Sequence, residues 1–268
     1  MAVGEFHKMH GLGNDFVVID GRSAPVAMTA ALARSIADRR QGIGCDQIIV
    51  IETSAHADIA MRIYNADGSE VESCGNAARC VVALLATDVS IETRGGIIAG
   101  TLAGTNVTVD MGIPKFEWQD IPLAFAMDSA AMPMAWEDLA SPVAVNVGNP
   151  HAVFFVPDCD MIDLARLGPV IEHDAAFPDR VNVNIASVHG GEIKLRVWER
   201  GVGLTRACGT GACATAVAAI RQNRVTSPAT VHLPGGTLNI AWQPGHPVIM
   251  TGGTNYVFRG EADWDNFA

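Results

Sequence analysis

Two cysteines, Cys74 and Cys208, stand in matching contexts 134 residues apart, half the length of a 268-residue chain. The first sits in Ser-Cys-Gly-Asn-Ala-Ala-Arg-Cys and the second in Ala-Cys-Gly-Thr-Gly-Ala-Cys. Each opens a run of small apolar residues, VVALLA and ATAVAAI, which predicts a helix that begins at the thiol. A sulfur placed there faces N–H groups outside the helical ladder and the positive end of the helix dipole, and both favour thiolate over thiol. Lowering a cysteine pKa from ~8.5 toward 7 needs about 2 kcal/mol, within reach of a helix end. Gly75 and Gly209 let the backbone approach a ligand closely, and the amides of Asn76 and Thr210 form a cradle for an anion. A carboxylate held between two such helix starts would place its α-carbon between two sulfurs. One sulfur would take the α-proton from one face while the other returns a proton to the opposite face. The chemistry expected is stereoinversion by general acid and base, with no cofactor and no metal, and with the helix starts meeting the charge that builds on the carboxylate. The alternative, that both Cys-Gly turns serve only close packing, leaves the polar residues around them without a purpose.

Those polar residues recur at the same spacing. Arg62 in MRIYN lies twelve residues before Cys74, and Arg196 in LRVWE twelve before Cys208. Tyr64 then aligns with Trp198 and Asn65 with Glu199. GNDFVVID pairs with GNPHAVFFV, so that Asn14 matches Asn149, and Gln47 in CDQIIVIE matches Asn182 in RVNVNIASV, each at an offset of 135. A period this long means two copies of a domain. Around these residues, DFVVID, QIIVIE, IAMRIYN, GIIAGTL, NVTVDMG, VAVNVG, AVFFV, EIKLRVWER, ATVHLP, LNIAW and YVFRGE are expected strands. TAALARSIADRR, CGNAARCVVALLA, AWEDLA, DLARLGPVIEH and CGTGACATAVAAIRQN are expected helices, with Thr29 and Asp163 as N-caps. Strands outnumber helices and lie close in sequence, which predicts an α/β (α+β) fold of mixed, largely antiparallel sheets, each wrapped on a central helix. The expected domains are residues 1–113 with 255–268, and residues 114–254. The proline-bearing stretch from Ile113 to Ser141 is the expected hinge between copies, and the strand after Gly253 is expected to return to the first domain.

Composition narrows the classes. Half the residues are hydrophobic (49%) and 18% are charged, enough for a packed core and against disorder. A net charge of −11 and the absence of any Lys/Arg run oppose binding to nucleic acid. The N-terminal sequence carries Glu5, Lys8 and Asp15 and has no signal-type apolar core, and no run is long enough to span a bilayer. A soluble, cytoplasmic protein with reduced thiols is expected. Cys45, Cys80, Cys159 and Cys213 read as small buried residues, and no cysteine pair has zinc spacing.

Taken together, GLGNDFVVID, GIGCDQ, YNADGSEVESCGNAARC, GNPH, RVNVNIA, VWERGVGLTRACGTGACA and LPGGTLNIAW resemble the diaminopimelate epimerase family from about Met9 to about Glu261. These are isomerases without pyridoxal phosphate that interconvert LL- and meso-diaminopimelate in bacterial lysine and cell-wall synthesis. The resemblance implies two similar domains related by a pseudo-twofold axis with the site in the cleft between them. It implies Cys74 and Cys208 as the acid/base pair, with Cys74 donating and Cys208 accepting in the LL to meso direction. His151 and Glu199 match positions that assist the cysteines. Gly75, Asn76, Gly209 and Thr210 would hold the carboxylate at the reacting centre, and Asn14, Gln47, Asn65, Asn149, Asn182, Glu199 and Arg200 the rest of the ligand. A small-molecule substrate with an amino-acid head at each end suits this set, because a guanidinium grips a carboxylate in two-pronged fashion while amides and Glu199 meet the ammonium. A monoamino acid would leave those groups unpaired. A homodimer is one assembly the resemblance allows. Ala77 departs from the glycine common in the motif, and a slight change in the loop is expected there. Arg62 and Arg196 are assigned to structural pairing. Competing readings are another two-thiol racemase acting on proline, a thiol redox enzyme that joins Cys74 to Cys208, and a non-catalytic binding protein.

Overall fold

The computed structural model describes residues 3–72 and 74–267; Met1, Ala2, Ser73 and Ala268 lie outside the described residues. The chain divides into two compact units, Met1–Val109 with Gly252–Ala268, and Asp110–Thr251.

In the first unit the elements run β1 (Val3–Gly11), β2 (Asn14–Asp20), α1 (Ala30–Ala37), β3 (Gln47–Glu52), β4 (Ile59–Asn65), β5 (Glu70–Val71), α2 (Gly75–Leu85), β6 (Val89–Thr93), β7 (Gly96–Ala103) and β8 (Asn106–Asp110). In the second they run β9 (Ala135–Trp136), β10 (Leu139–Ala140), β11 (Val143–Asn146), β12 (Pro150–Phe155), a 3-10 turn (Cys159–Met161), α3 (Leu164–Glu172), β13 (Asn182–His189), β14 (Glu192–Glu199), β15 (Gly203–Thr205), α4 (Gly209–Arg221), β16 (Ala229–Leu233), β17 (Gly236–Ala241) and β18 (Ile249–Gly253). The chain then enters β19 (Asn255–Asp263), which pairs antiparallel with β1 from Val3↔Asp263 to His10↔Asn255, as the reading of the C-terminal strand expected.

The duplication is written in the ladders. In the first unit β2 runs parallel to β3, β3 antiparallel to β4, β4 antiparallel to β5 and parallel to β6, and β6 antiparallel to β7. In the second unit β12, β13, β14, β15, β16 and β17 repeat that pattern pair for pair. Phe16 faces Gln47 in the first copy, and His151 faces Asn182 in the second, at the same 135-residue offset. The inner strands are apolar on both faces: Phe16 to Ile19 and Ile48 to Ile51 are all buried. Each such side chain contributes about 1.5–3 kcal/mol by its burial.

The central helices are built from small residues because they are enclosed. Every residue from Gly75 to Val82 of α2 is buried, as are Gly209 and Gly211 to Ala219 of α4. A helix apolar all round has no solvent face to offer, and α4 accordingly packs on β11, β12, β13, β14, β16 and β17. Thr29 caps α1 by accepting from Leu32 N–H at 3.1 Å, and Asp163 caps α3 by accepting from Arg166 N–H at 3.3 Å.

Two expectations are corrected. AWEDLA is not helical: Ala135–Trp136 and Leu139–Ala140 form the hairpin β9–β10, turned at Glu137 with a φ of 52°. Six residues are too few to nucleate a helix on their own, and the hairpin places Leu139 in the core and Trp136 Nε1 against Asp174 Oδ2 at 2.9 Å. The stretch from Ile113 to Ser141 is not a hinge, because Ile121, Leu123, Met132 and Leu139 belong to the apolar core of the second unit. No helix among the described residues is long and apolar enough to cross a membrane.

Candidate active site

Parallel and antiparallel neighbours bring the singled-out residues of each unit to one end of its sheet. In the first unit Asn14 begins β2, Gln47 begins β3 and Asn65 ends β4, with Gln47 opposite Asn65 in the ladder. Cys74 occupies the N-cap position of α2 without a side-chain capping bond to the helix, and its Sγ lies 3.9 Å from Asn14 Oδ1. The same oxygen accepts from Asn76 Nδ2 at 3.3 Å, while Asn14 Nδ2 donates to Asp46 Oδ2 at 3.2 Å. Arg79, fully buried, donates to Asn76 Oδ1 at 2.8 Å. The chain Arg79, Asn76, Asn14, Asp46 therefore runs in one donor direction and turns the Asn14 carbonyl toward the sulfur. Gln47 Nε2 donates to Asn65 Oδ1 at 2.9 Å, and Asn65 Nδ2 to Ser69 Oγ at 3.1 Å. Gln47 Oε1 is buried, and no described residue donates to it. The ladder of α2 starts with Ala78 N–H on the Cys74 carbonyl at 2.9 Å, so the Gly75 and Asn76 amides lie ahead of it. Ala77 is buried in this first turn.

The second unit repeats the device with a more enclosed thiol. Cys208 is the N-cap of α4; its Sγ accepts from Gly211 N–H at 3.4 Å and lies 3.5 Å from Thr210 Oγ1. The α4 ladder begins with Ala212 N–H on the Cys208 carbonyl at 3.0 Å, placing the Gly209 and Thr210 amides ahead of it. Here the expectation of a lowered thiol pKa is overturned. Burial, and after it the negative charge of Glu199, push the Cys208 thiol well above its ordinary value, outweighing the opposing bonds from Thr210 and Gly211. Taking a sulfur out of water costs its anion more than one helix end returns. Glu199, the last residue of β14, also accepts from Thr205 Oγ1.

His151, fully buried at the start of β12, makes contacts on both ring nitrogens: Nε2 lies 2.9 Å from Asn149 Oδ1 and Nδ1 3.2 Å from Asn184 Oδ1. Burial pushes its pKa down to about 4, so the ring is neutral near pH 7. Asn182 spends its side chain internally: Nδ2 donates to the Pro150 carbonyl at 2.8 Å, and Oδ1 accepts from Arg200 N–H at 3.0 Å. The Arg200 side chain is exposed, with Nη1 on the Asp179 carbonyl at 2.9 Å. Arg62 pairs with Glu70 at 2.8 Å, and Arg196 binds the carbonyls of Cys159 and Ile162, so both are structural as expected.

Sequence reasoning missed Asn184 and Glu172. Asn184 follows Asn182 by two along a strand, so period-2 alternation puts both on one face and could have found it. Glu172 ends α3 and accepts from Trp198 Nε1 at 2.7 Å and Gly201 N–H at 2.9 Å, on either side of Glu199 and Arg200; nothing in its local sequence announces this. Of metal-type groupings among the described residues, Asp158, Cys159 and Asp160 come within 4.8 Å of one another. Asp158 caps the Asp160 N–H and Asp160 pairs with Lys194, so these carboxylates already serve the local turn.

The description of the diaminopimelate epimerase family matches residues 6–117 and 143–257. A protein of Rhizorhabdus wittichii named diaminopimelate epimerase is 62% identical over 264 residues, covering 98% of this chain and 96% of its own. One of the same name from Sphingopyxis alaskensis is 60% identical over 263 residues, covering 98% of both chains. Among solved structures, a PhzF-family phenazine biosynthesis protein of Bacillus anthracis superposes with a TM-score of 0.70 at 14% identity, over 98% of this chain and 99% of that one. A probable proline racemase from Agrobacterium radiobacter does so with a TM-score of 0.70 at 17% identity, over 97% and 93%. At such identities these two carry the fold alone. With its full-length relatives and the family match on both copies of the thiol-bearing helix, the chain belongs to the diaminopimelate epimerase family.

Proposed function

We propose that this protein interconverts LL- and meso-diaminopimelate by moving the α-proton through Cys74 and Cys208, without a cofactor. The observation that carries this reading is one device built twice: a cysteine at the N-cap position of an enclosed helix whose first amides precede the ladder, flanked by side-chain amides at the same sheet end. In the LL to meso direction the Cys208 proton passes to Glu199, and the thiolate so formed removes the substrate α-proton. Charge accumulates on the substrate carboxylate, where the amides of Gly75, Asn76, Gly209 and Thr210 stabilise it. Cys74 gives its proton to the opposite face of the α-carbon, and exchange with water resets the groups. Having Glu199 beside Cys208 is what reconciles a buried, protonated thiol with a basic role. Asn14, Gln47, Asn65, Asn149, Asn182 and Arg200 orient the ligand, with Arg200 on the distal carboxylate; the unsatisfied Gln47 Oε1 supports a donor arriving there with the ligand.

LL-diaminopimelate incubated in deuterated water should gain one solvent deuterium at the inverted carbon, and Cys74→Ala and Cys208→Ala should each abolish inversion while remaining folded. Full turnover by either variant would exclude the two-thiol route. A homodimer is the expected assembly, supported by the large exposed residues Tyr256, Val257 and Phe258 on β19; sedimentation as a monomer would remove it.

A further inference from the structure

A neutral histidine can carry its proton on either ring nitrogen, and its partners decide which. Around His151 the decision starts at a group with no choice. The carbonyl of Gly211 can only accept, so Asn184 turns its NH2 toward it at 3.0 Å, and the same NH2 donates to Thr215 Oγ1 at 3.0 Å. The Asn184 amide oxygen is left facing His151 Nδ1 at 3.2 Å, and an amide oxygen also only accepts. His151, Asn184 and Thr215 are each 0% exposed, so water does not substitute for any of these bonds. Gly211 is also the residue whose N–H meets the Cys208 sulfur at 3.4 Å.

We infer that Asn184 is a positioning residue of the active site: it holds His151 as the Nδ1–H tautomer, leaves Nε2 as the basic nitrogen turned toward Asn149, and ties the ring to the first turn of α4 beside Cys208. Nε2 also faces an amide oxygen, Asn149 Oδ1 at 2.9 Å, and a neutral ring donates only once; with Asn184 fixed by the Gly211 carbonyl, Asn149 is the amide that must turn over to present its NH2 to Nε2. The inference rests on the proposed two-thiol reaction and on the assisting part that the family resemblance implies for His151, and it adds a residue and a protonation pattern to that part.

The test uses the full chain labelled with 15N-histidine and a long-range 1H–15N spectrum at pH 7 and 8, with the His151 signals assigned by their loss in His151→Gln. The expected result is a protonated Nδ1 and a bare Nε2; a proton on Nε2 overturns the assignment. In Asn184→Leu, of similar volume but without the acceptor, the Nδ1–H population should fall about fivefold relative to the other tautomer, as loss of one hydrogen bond implies. The kcat should fall with the remaining fraction of that tautomer, by less than about fivefold, with KM within twofold. A folded Asn184→Leu protein that keeps a single Nδ1–H tautomer, or keeps full kcat, overturns the proposal. Should that variant not fold, Asn184→Ser carries the same expectation, and the wild-type spectrum already decides the tautomer. Full turnover by His151→Gln would instead remove the catalytic part of His151 while leaving the tautomer assignment standing.

Discussion

Glu172 fixes the backbone on which Glu199 and Arg200 sit, and its removal should reach both stability and substrate binding. Its side chain, 3% exposed at the end of α3, accepts from Trp198 Nε1 at 2.7 Å and from Gly201 N–H at 2.9 Å, with Arg180 Nη1 at 3.8 Å. A hydrogen bond to a charged acceptor contributes about 1.5–3 kcal/mol. Gly201 is exposed and can recover a water, whereas Trp198 is packed against α3 so closely that a Cβ on Gly168 would lie 2.5 Å from its ring. The half-exposed Arg180 adds ~1 kcal/mol or less. Glu172→Ala should therefore lose about 3 kcal/mol, which lowers the urea midpoint by roughly 1–3 M at a slope of 1–3 kcal/mol/M. With the turn released, KM for diaminopimelate should rise about tenfold, the equivalent of ~1.4 kcal/mol. Glu172→Gln offers one oxygen to two donors and should fall between. The assays are urea unfolding followed by circular dichroism and steady-state kinetics on the same preparations. Unfolding of Glu172→Ala at the wild-type midpoint with an unchanged KM would refute the reasoning.

Burial pushes the pKa of His151 from 6.5 down to about 4, so between those values the unfolded chain binds a proton that the folded chain refuses. Stability should thus fall as pH drops through that window, by up to about 3 kcal/mol at 1.36 kcal/mol per unit, and His151→Gln should remove that part of the slope; identical slopes would contradict it. Cys45 and Cys80 are pushed up to about 12 by burial, and Cys208 well above its ordinary value, whereas Cys74 is only half-buried. Iodoacetamide at pH 8 should therefore modify Cys74 first in the folded protein, as peptide mass mapping would show; labelling of Cys80 at an equal rate would count against the enclosed α2. Gly211→Ala would place a Cβ 3.0 Å from Val197 Cγ2 and 3.2 Å from Cys208 Sγ. It should cost about 1–3 kcal/mol of stability as an overpacked core does and reduce turnover, and a wild-type melting temperature together with full activity would refute this.

Much of the site was legible because a duplicated chain repeats its chemistry at one spacing. Cys74 and Cys208, Asn14 and Asn149, and Gln47 and Asn182 could be paired by counting alone, and the ladders then placed each set at one end of its sheet. Strands such as QIIVIE and the caps Thr29 and Asp163 were equally readable, since alternation and capping are local properties. AWEDLA and the stretch from Ile113 to Ser141 were misread because short polar-apolar mixtures have no dominant period, and burial against the second core decided their form.

The sequence by itself determined the duplication, the two helix-start thiols and the amides that accompany them, because each is set by residue type and spacing. Only the tertiary structure decided that Cys208 is held as a thiol beside Glu199, that Asn184 orients His151, and that Glu172 anchors the turn bearing Arg200. Desolvation and hydrogen-bond direction depend on atoms distant in the chain, and no local pattern encodes them.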